Sequence, residues 1–95
     1  MKDVPALRQG LEVLEVLARH GKPLAAAAIA FELGIPRSSV YRLLGELCLA
    51  EFAQHHAEER RYGLGPAVVP LADSYRAQIT VAGVTTTDRT RARKP

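Results

Sequence analysis

Residues 29–44 read IAFELGIPRSSVYRLL and contain two apolar stretches separated by a glycine. Gly34 can adopt a positive φ without steric strain, so it can reverse the chain tightly between two helices. Ala30 lies four residues earlier, where two crossing helices must approach closely. Apolar residues recur at helical spacing on both sides of the glycine: Ile29, Leu33, Ile35, Val40 and Leu43. This pattern is typical of a helix-turn-helix.

The second helix of this motif leaves polar side chains exposed at its start once its apolar residues are buried. Two arginines, a serine and a tyrosine lie there: Arg37, Ser38, Tyr41 and Arg42. Guanidinium and hydroxyl groups bind base edges and phosphates. Because these residues directly follow the turn, we interpret them as contacts to DNA, together with Ser39. Alternatively, the arginines belong to a solvated face, the serines only cap the helix, and Tyr41 packs inward.

Apolar periodicity predicts four helices, of which the helix-turn-helix supplies the second and third. The approximate ranges of the last three helices are 24–33, 36–50 and 67–80. A proline near the start and a glycine after the end define the first helix, at Pro5 and Gly21. The predicted buried stripe of this first helix has six members: Leu7, Leu11, Val13, Leu14, Leu17 and Ala18.

Two short extended segments follow the third helix, at 51–55 and 60–64, with a polar connection of hairpin length between them. The hairpin forms a wing beside the helix-turn-helix, and Arg60 and Arg61 on it are predicted to bind DNA phosphates. Alternatively, the two glutamates just before these arginines neutralise them. The predicted fold class is mainly α with a small β-hairpin wing. It is a winged helix-turn-helix with a three-helix core, a two-stranded wing and a C-terminal helix.

The composition is that of one globular domain that folds by burial of apolar side chains. The chain has 95 residues, of which 47% are hydrophobic and 24% are charged, and this length gives room for one core. The single cysteine cannot form an intramolecular disulfide, so we expect a cytoplasmic protein. No apolar run approaches the roughly 18 residues of a membrane span, and the charged N-terminal residues argue against a signal peptide.

The net charge of +3 is unevenly distributed along the chain. Residues 1–65 contain eight basic and eight acidic side chains, so the whole excess comes from residues 66–95. A nucleic-acid interpretation therefore depends on where individual charges lie and not on bulk charge.

No catalytic or metal-binding pattern accompanies the helix-turn-helix. The sequence has no glycine-rich phosphate loop, no nucleophile elbow and no pair of catalytic carboxylates. Cys48, His55 and His56 offer three metal ligands, but structural zinc sites usually need four. We interpret Cys48 as a core thiol and both histidines as exposed wing residues. We therefore expect no enzyme activity, no cofactor and no metal.

Four stretches together resemble the N-terminal winged helix-turn-helix domain of IclR-type transcription regulators: RQGLEVLEVLA, PL, IAFELGIPRSSVYRLLGEL and RYGLGPA. The match covers about residues 8–72, and its most specific part is 34–44, supported by 62–65. The resemblance implies a sequence-specific DNA-binding domain that acts as a dimer or tetramer on palindromic operators. It also implies a linker helix leading to a C-terminal effector-binding domain. That domain would begin near residue 80 and is absent from this sequence.

Two departures from the family pattern concern helix ends. Members often begin the second helix with a serine and place a glutamate three residues later, as a capping box. Here those positions are Ala25 and Ala28. Members also tend to have glycine at the end of the recognition helix, where this chain has Glu51. A residue with a side chain in the left-handed conformation there is strained.

We therefore predict a sequence-specific DNA-binding domain of a transcription regulator. Its recognition helix, at about 36–50, enters the major groove, and the wing lies on the DNA backbone. The predicted division is 1–65 for this domain, 66–82 for the linker helix and 83–95 for a disordered basic tail. The alternative is a winged-helix protein-interaction or dimerisation module that does not bind DNA, which the neutral body favours.

The predicted partners are double-stranded operator DNA and a second copy of the chain, with no membrane. The fourth helix carries more large apolar groups than a short terminal helix can bury on one small domain. They are Val68, Val69, Leu71 and Tyr75. We expect a homodimer through this helix and part of the first helix.

Overall fold

The computed structural model describes residues 3–82, which form four helices and one two-stranded antiparallel sheet. In chain order the elements are α1 (Pro5–His20), α2 (Ala26–Leu33), α3 (Arg37–Leu49), β1 (Ala53–His56), β2 (Arg61–Leu64) and α4 (Val68–Ala82). The predicted mainly α winged helix-turn-helix is confirmed. The basic tail predicted at 83–95 lies outside the described residues.

The core lies where α1, α2 and α3 meet, and β1 closes one side of it. Ten residues are buried there: Val13, Val16, Leu17, Leu24, Ala26, Ile29, Ala30, Val40, Leu44 and Ala53. All are aliphatic, and no polar or charged side chain in the described part of the chain is buried. The hydrophobic effect is therefore the main force that holds the three helices together.

The predicted buried stripe of α1 is partly wrong. The helix buries Gly10, Val13, Val16 and Leu17, whereas the side chains of Leu7 and Leu11 are 60% and 52% exposed. Leu14 is only half-buried and Ala18 is exposed. Apolar side chains cover more than one face of α1, so periodicity alone does not select the face that packs on the core. The second apolar face of α1 remains open to solvent.

The helix ends follow the predicted glycines. Gly21 ends α1 at φ 66° and Gly34 ends α2 at φ 69°, both in the left-handed region. At the start of α3, Pro36 is extended at φ −62° and ψ 148°, and no side chain caps the helix. The alternative in which Ser38 and Ser39 only cap α3 is therefore wrong. At the start of α2, Ala25 likewise makes no side-chain cap, as the missing capping box implies.

The wing begins slightly later than predicted. Glu51 has φ 66° and completes the turn that ends α3, so β1 cannot start before Ala53. The register pairs Ala53 with Leu64 and His56 with Arg61. The fourth helix begins one residue later than predicted and continues to Ala82. Among the helices of residues 3–82, none has the length and apolar character needed to cross a membrane.

Candidate nucleic-acid interface

The rotation of α3 is fixed by two of its residues that have no exposed surface. Val40 and Leu44 are both 0% exposed and face the core. The opposite face therefore points to solvent, and it carries Arg37, Ser38 and Arg42, all exposed. This face begins directly after the tight turn at the end of α2, so three polar side chains project from the first two turns of the helix.

Tyr41 and Ser39 flank this exposed face. Tyr41 is 51% exposed, so it does not pack inward, whereas Ser39 is half-buried. Ser39, Tyr41 and Arg42 line a groove of about 620 Å³ between α3 and the N-terminal part of α1. The fold thus brings three of the predicted DNA-contacting residues to one concave surface.

The arginines of α3 and of the wing form no ion pair in the part of the chain that the structure describes. Within residues 3–82 the ion pairs involve Arg8, Arg19, His20 and Arg76 as the basic partners. Arg37 and Arg42 are therefore unpaired in the described part of the chain. The same holds for the two wing arginines, so the glutamates just before them do not form ion pairs with them.

The wing carries its two arginines at its tip. Arg60 completes the turn with φ 57° and Arg61 is the first residue of β2, and both are exposed. Behind them His55 stacks on Tyr62 across the hairpin, with ring centroids 4.4 Å apart and an angle of 16° between the rings. These two residues are direct cross-strand partners, a pairing that stabilises a short hairpin.

A contact that sequence reasoning missed anchors the wing to the helix-turn-helix. The amide of Leu24 donates to the carbonyl of Tyr62 at 2.8 Å, and the amide of Tyr62 donates back at 2.7 Å. Leu24 lies just before α2, so this bridge fixes the hairpin relative to the motif. A single bridging residue leaves no alternating apolar pattern, so periodicity along the chain does not predict this contact.

Tyr62 also lies against α3. Partial burial raises the pKa of its phenol, and the nearby Cys48 thiol and Tyr41 phenol add to the shift. Cys48 is half-buried, and burial raises the pKa of its thiol. A thiol of this kind stays protonated and unreactive at neutral pH. No cluster of three or more histidine, cysteine or acidic side chains suited to a metal ion occurs in the part of the chain that the structure describes.

Comparison with known proteins agrees with this architecture. A family model described as the IclR helix-turn-helix domain matches residues 6–55. The uncharacterised HTH-type transcriptional regulator RhmR of Escherichia coli (strain K12) is 50% identical over 44 residues, which are 46% of this chain and 16% of that protein.

Solved structures of regulators share the fold. An IclR transcriptional regulator from Alicyclobacillus acidocaldarius is 32% identical with a TM-score of 0.71, over 74% of this chain and 28% of that one. HmgR of Pseudomonas aeruginosa is 26% identical with a TM-score of 0.75, over 82% and 33%. The repressor BlcR of Agobacterium tumefaciens is 27% identical with a TM-score of 0.69, over 79% and 30%.

These relatives are much longer than the region they share with this protein. The chain spans 16% of RhmR and between 28% and 33% of the three solved chains. The family model nevertheless covers more than half of the chain, including nearly all of α1, all of α2 and α3, and most of β1. The protein therefore belongs to the IclR helix-turn-helix domain family.

Proposed function

We propose that this chain is the DNA-binding domain of a transcription regulator and recognises a specific duplex sequence without covalent chemistry. The observation that carries the proposal is the exposure of Arg37 and Arg42 at the start of α3, opposite the buried Val40 and Leu44. Neither arginine forms an ion pair within residues 3–82. Helix-turn-helix proteins insert the start of this helix into the major groove. Such a regulator works in the cytoplasm.

Each predicted contact has a role that follows from its chemistry. Arg37 and Arg42 present guanidinium forks, which pair with guanine edges or phosphates. Tyr41 and the hydroxyls of Ser38 and Ser39 donate to phosphates or base edges. Two exposed arginines at the wing tip, Arg60 and Arg61, bind the phosphates of the flanking backbone.

The charge distribution predicts how binding responds to salt. Residues 1–65 are electrically neutral overall, so attraction to DNA depends on a few local arginines. Each phosphate contact releases condensed counterions from the duplex, and the observed affinity falls as salt concentration rises. We expect the logarithm of the affinity to fall moderately with the logarithm of the salt concentration.

Binding assays with matched arginine variants test the proposal. The probe is a duplex recovered from a random-sequence library by the 95-residue chain itself. Arg42→Ala is expected to weaken binding by about 1–3 kcal/mol without loss of helicity, because it removes one bidentate contact. Arg19→Ala, near the C-terminal end of α1, is the control, since Arg19 already pairs with Glu32 and lies outside both the proposed DNA interface and α4. Equal affinity of all three proteins removes Arg42 from the recognition set.

The same assay separates this function from the alternative. A winged-helix module that binds only protein recovers no duplex from the library. It also leaves the mobility of the DNA unchanged at every salt concentration. That result refutes the DNA-binding proposal, whatever the variants do.

We further propose that the chain acts as a homodimer through α4 and part of α1. Every residue from Val69 to Gln78 on α4 is exposed, including Val69, Leu71 and Tyr75 at 50–59%. An isolated helix of about 15 residues is marginal in water without a packed face. The open second face of α1, with Leu7 and Leu11, supplies apolar surface of the same kind.

A second copy also meets the need for affinity. One winged helix reads few base pairs, and a two-fold dimer doubles the contacts on a palindromic site. In this proposal residues 1–65 bind DNA and residues 66–82 form the linker helix that pairs the copies. We expect the 95-residue chain to dimerise weakly, because the proposed contact uses one face of α4 and part of α1.

Sedimentation of the full 95-residue chain over a concentration series tests the dimer. We expect a monomer–dimer equilibrium that Leu71→Lys shifts to monomer, because a charge cannot be buried on the apolar face. Ala57→Lys in the turn of the wing is the control, as it also adds one positive charge at an exposed position but lies away from α4. A strict monomer at high micromolar concentration contradicts the dimer.

A further inference from the structure

Gly45 lies inside α3, four residues before its last residue, and its position is exposed. Its φ is not positive, so no left-handed turn requires a glycine there. Glycine within a helix lowers stability relative to alanine, because its backbone loses more conformational freedom on folding. A glycine at this position therefore carries a cost that helix formation does not explain.

Packing within the chain does not explain Gly45 either. A Cβ atom added at this position meets no atom within 4 Å. Gly65 is the opposite case, because an added Cβ there collides with the backbone of Glu51 and Ala53. The space above Gly45 is open, and nothing in residues 3–82 fills it.

The position of Gly45 points to an external partner. It lies three and four residues after Arg42 and Tyr41 and seven after Ser38, so helical geometry places it on the same exposed face. It also lines the groove of about 620 Å³ that carries Ser39, Tyr41 and Arg42. The missing side chain thus opens a gap in the surface that carries the proposed DNA contacts.

We propose that Gly45 is a point of close approach between α3 and the duplex. The inference rests on the proposed DNA-binding function. With no side chain at this position, one wall of the major groove can lie against the helix backbone, one turn beyond Arg42. Close approach of backbone to a ligand is a recognised use of glycine. Gly45 then sets how deeply the start of α3 enters the groove, and so how well Arg37 and Arg42 reach base edges.

Opposite effects on stability and on affinity test this inference in the 95-residue chain. Gly45→Ala is expected to raise Tm by about 2–8 °C, because alanine is the better helix former. It is expected to weaken binding to the library-selected duplex by about tenfold, because the added methyl pushes the duplex away. Gly45→Gln, with a longer side chain, is expected to weaken binding further. Gly10→Ala is the control, since Gly10 lies in α1 and an added Cβ there also meets nothing within 4 Å.

The outcomes distinguish the inference from the function on which it rests. Gly10→Ala should raise Tm with Kd unchanged, both proteins being compared at the same association state by sedimentation. If wild type binds the duplex and Gly45→Ala binds equally well, the close approach is refuted while DNA binding stands. If Gly45→Ala instead abolishes self-association with Kd per subunit unchanged, the gap receives a protein and the inference is overturned. If wild type binds no duplex, the proposed function itself fails.

Discussion

Helices α2 and α3 end in the same backbone motif but with different residues at its critical position. After α2, the amide of Ile35 donates to the carbonyl of Ala30 at 3.2 Å, and Gly34 between them has φ 69°. After α3, the amide of Phe52 donates to the carbonyl of Leu47 at 2.9 Å, and Glu51 has φ 66°. Both are Schellman-type ends. One uses glycine, and the other forces a glutamate into the left-handed region.

The surroundings explain why the second end tolerates glutamate. The carbonyl of Glu51 accepts a hydrogen bond from the amide of Ala67 at 2.9 Å, and the amide of Gly65 donates to Phe52 at 2.9 Å. The chain that leaves the wing thus fixes the end of α3 through its backbone. The end of α2 has no such partner strand and depends on glycine. Strained residues persist where neighbouring structure over-determines them.

The largest expected effect is that of Gly65→Ala, which breaks the support of the second end. A methyl group there overlaps the carbonyl oxygen of Glu51 and stands 2.9 Å from that of Ala53. We expect a loss of about 3 kcal/mol in the free energy of unfolding, because backbone must move to relieve the clash. Urea denaturation measures it. Gly63→Ala is the control: its nearest contact is 3.4 Å, to the side chain of His56, and a similar loss there contradicts the assignment to the clash.

The next largest effect is expected for Gly34→Val, which disrupts the end of α2. A β-branched side chain at φ 69° is strongly strained, and we expect about 2 kcal/mol of destabilisation. Gly34→Asn should lose much less, since asparagine tolerates this region. Thermal unfolding followed by circular dichroism compares the two variants. A valine variant with the wild-type Tm shows that the turn does not require glycine.

A smaller effect of opposite sign is expected for Glu51→Gly, which makes the two ends alike. Glycine relieves the strain at φ 66°, and we expect a gain of about 1 kcal/mol. Ala50→Gly is the matched control, because Ala50 has an ordinary helical φ of −84° and glycine there should only destabilise. Urea midpoints that fall for both variants contradict strain at Glu51.

The smallest expected effect concerns the side chains that stabilise the end of α2. Near the end of α2, Glu32 accepts hydrogen bonds from Arg19 at 2.5 Å and from His20 at 2.8 Å, both on α1. These bonds hold the pKa of Glu32 below its ordinary value of 4.5, and the bond from Arg19 has the larger effect. Because the folded pKa is lowered, the stabilisation is present above pH 4.5 and is lost as pH falls through the folded pKa.

Glu32→Gln should therefore lower stability slightly at neutral pH and converge with wild type in acid. The cluster is exposed, so water screens it and the difference stays small. Urea midpoints between neutral pH and about pH 3 test the convergence. Glu15→Gln is the control, since Glu15 forms no ion pair within residues 3–82. A difference that persists unchanged into acid contradicts the role of the Glu32 carboxylate.

Some features of the candidate site depend on neighbouring residues in the sequence, and others depend on distant residues. The exposure of Arg37 and Arg42 could be predicted, because both lie opposite apolar residues of their own helix. The groove beside them could not, because α1 supplies its other wall. The role proposed for Gly45 could not be predicted either, because it depends on the open space beside this residue in the folded structure.

Sequence alone determined the order of the elements, the turn at Gly34, and the face of α3 that carries polar groups. Those features are local, since helical periodicity and the conformational freedom of glycine act within a few residues. Only the tertiary structure decided which apolar face of α1 is buried, how Leu24 anchors the wing, and why Gly65 must lack a side chain. Each of these features depends on residues far apart in the sequence. Such residues come into contact only when the helices and the hairpin pack together.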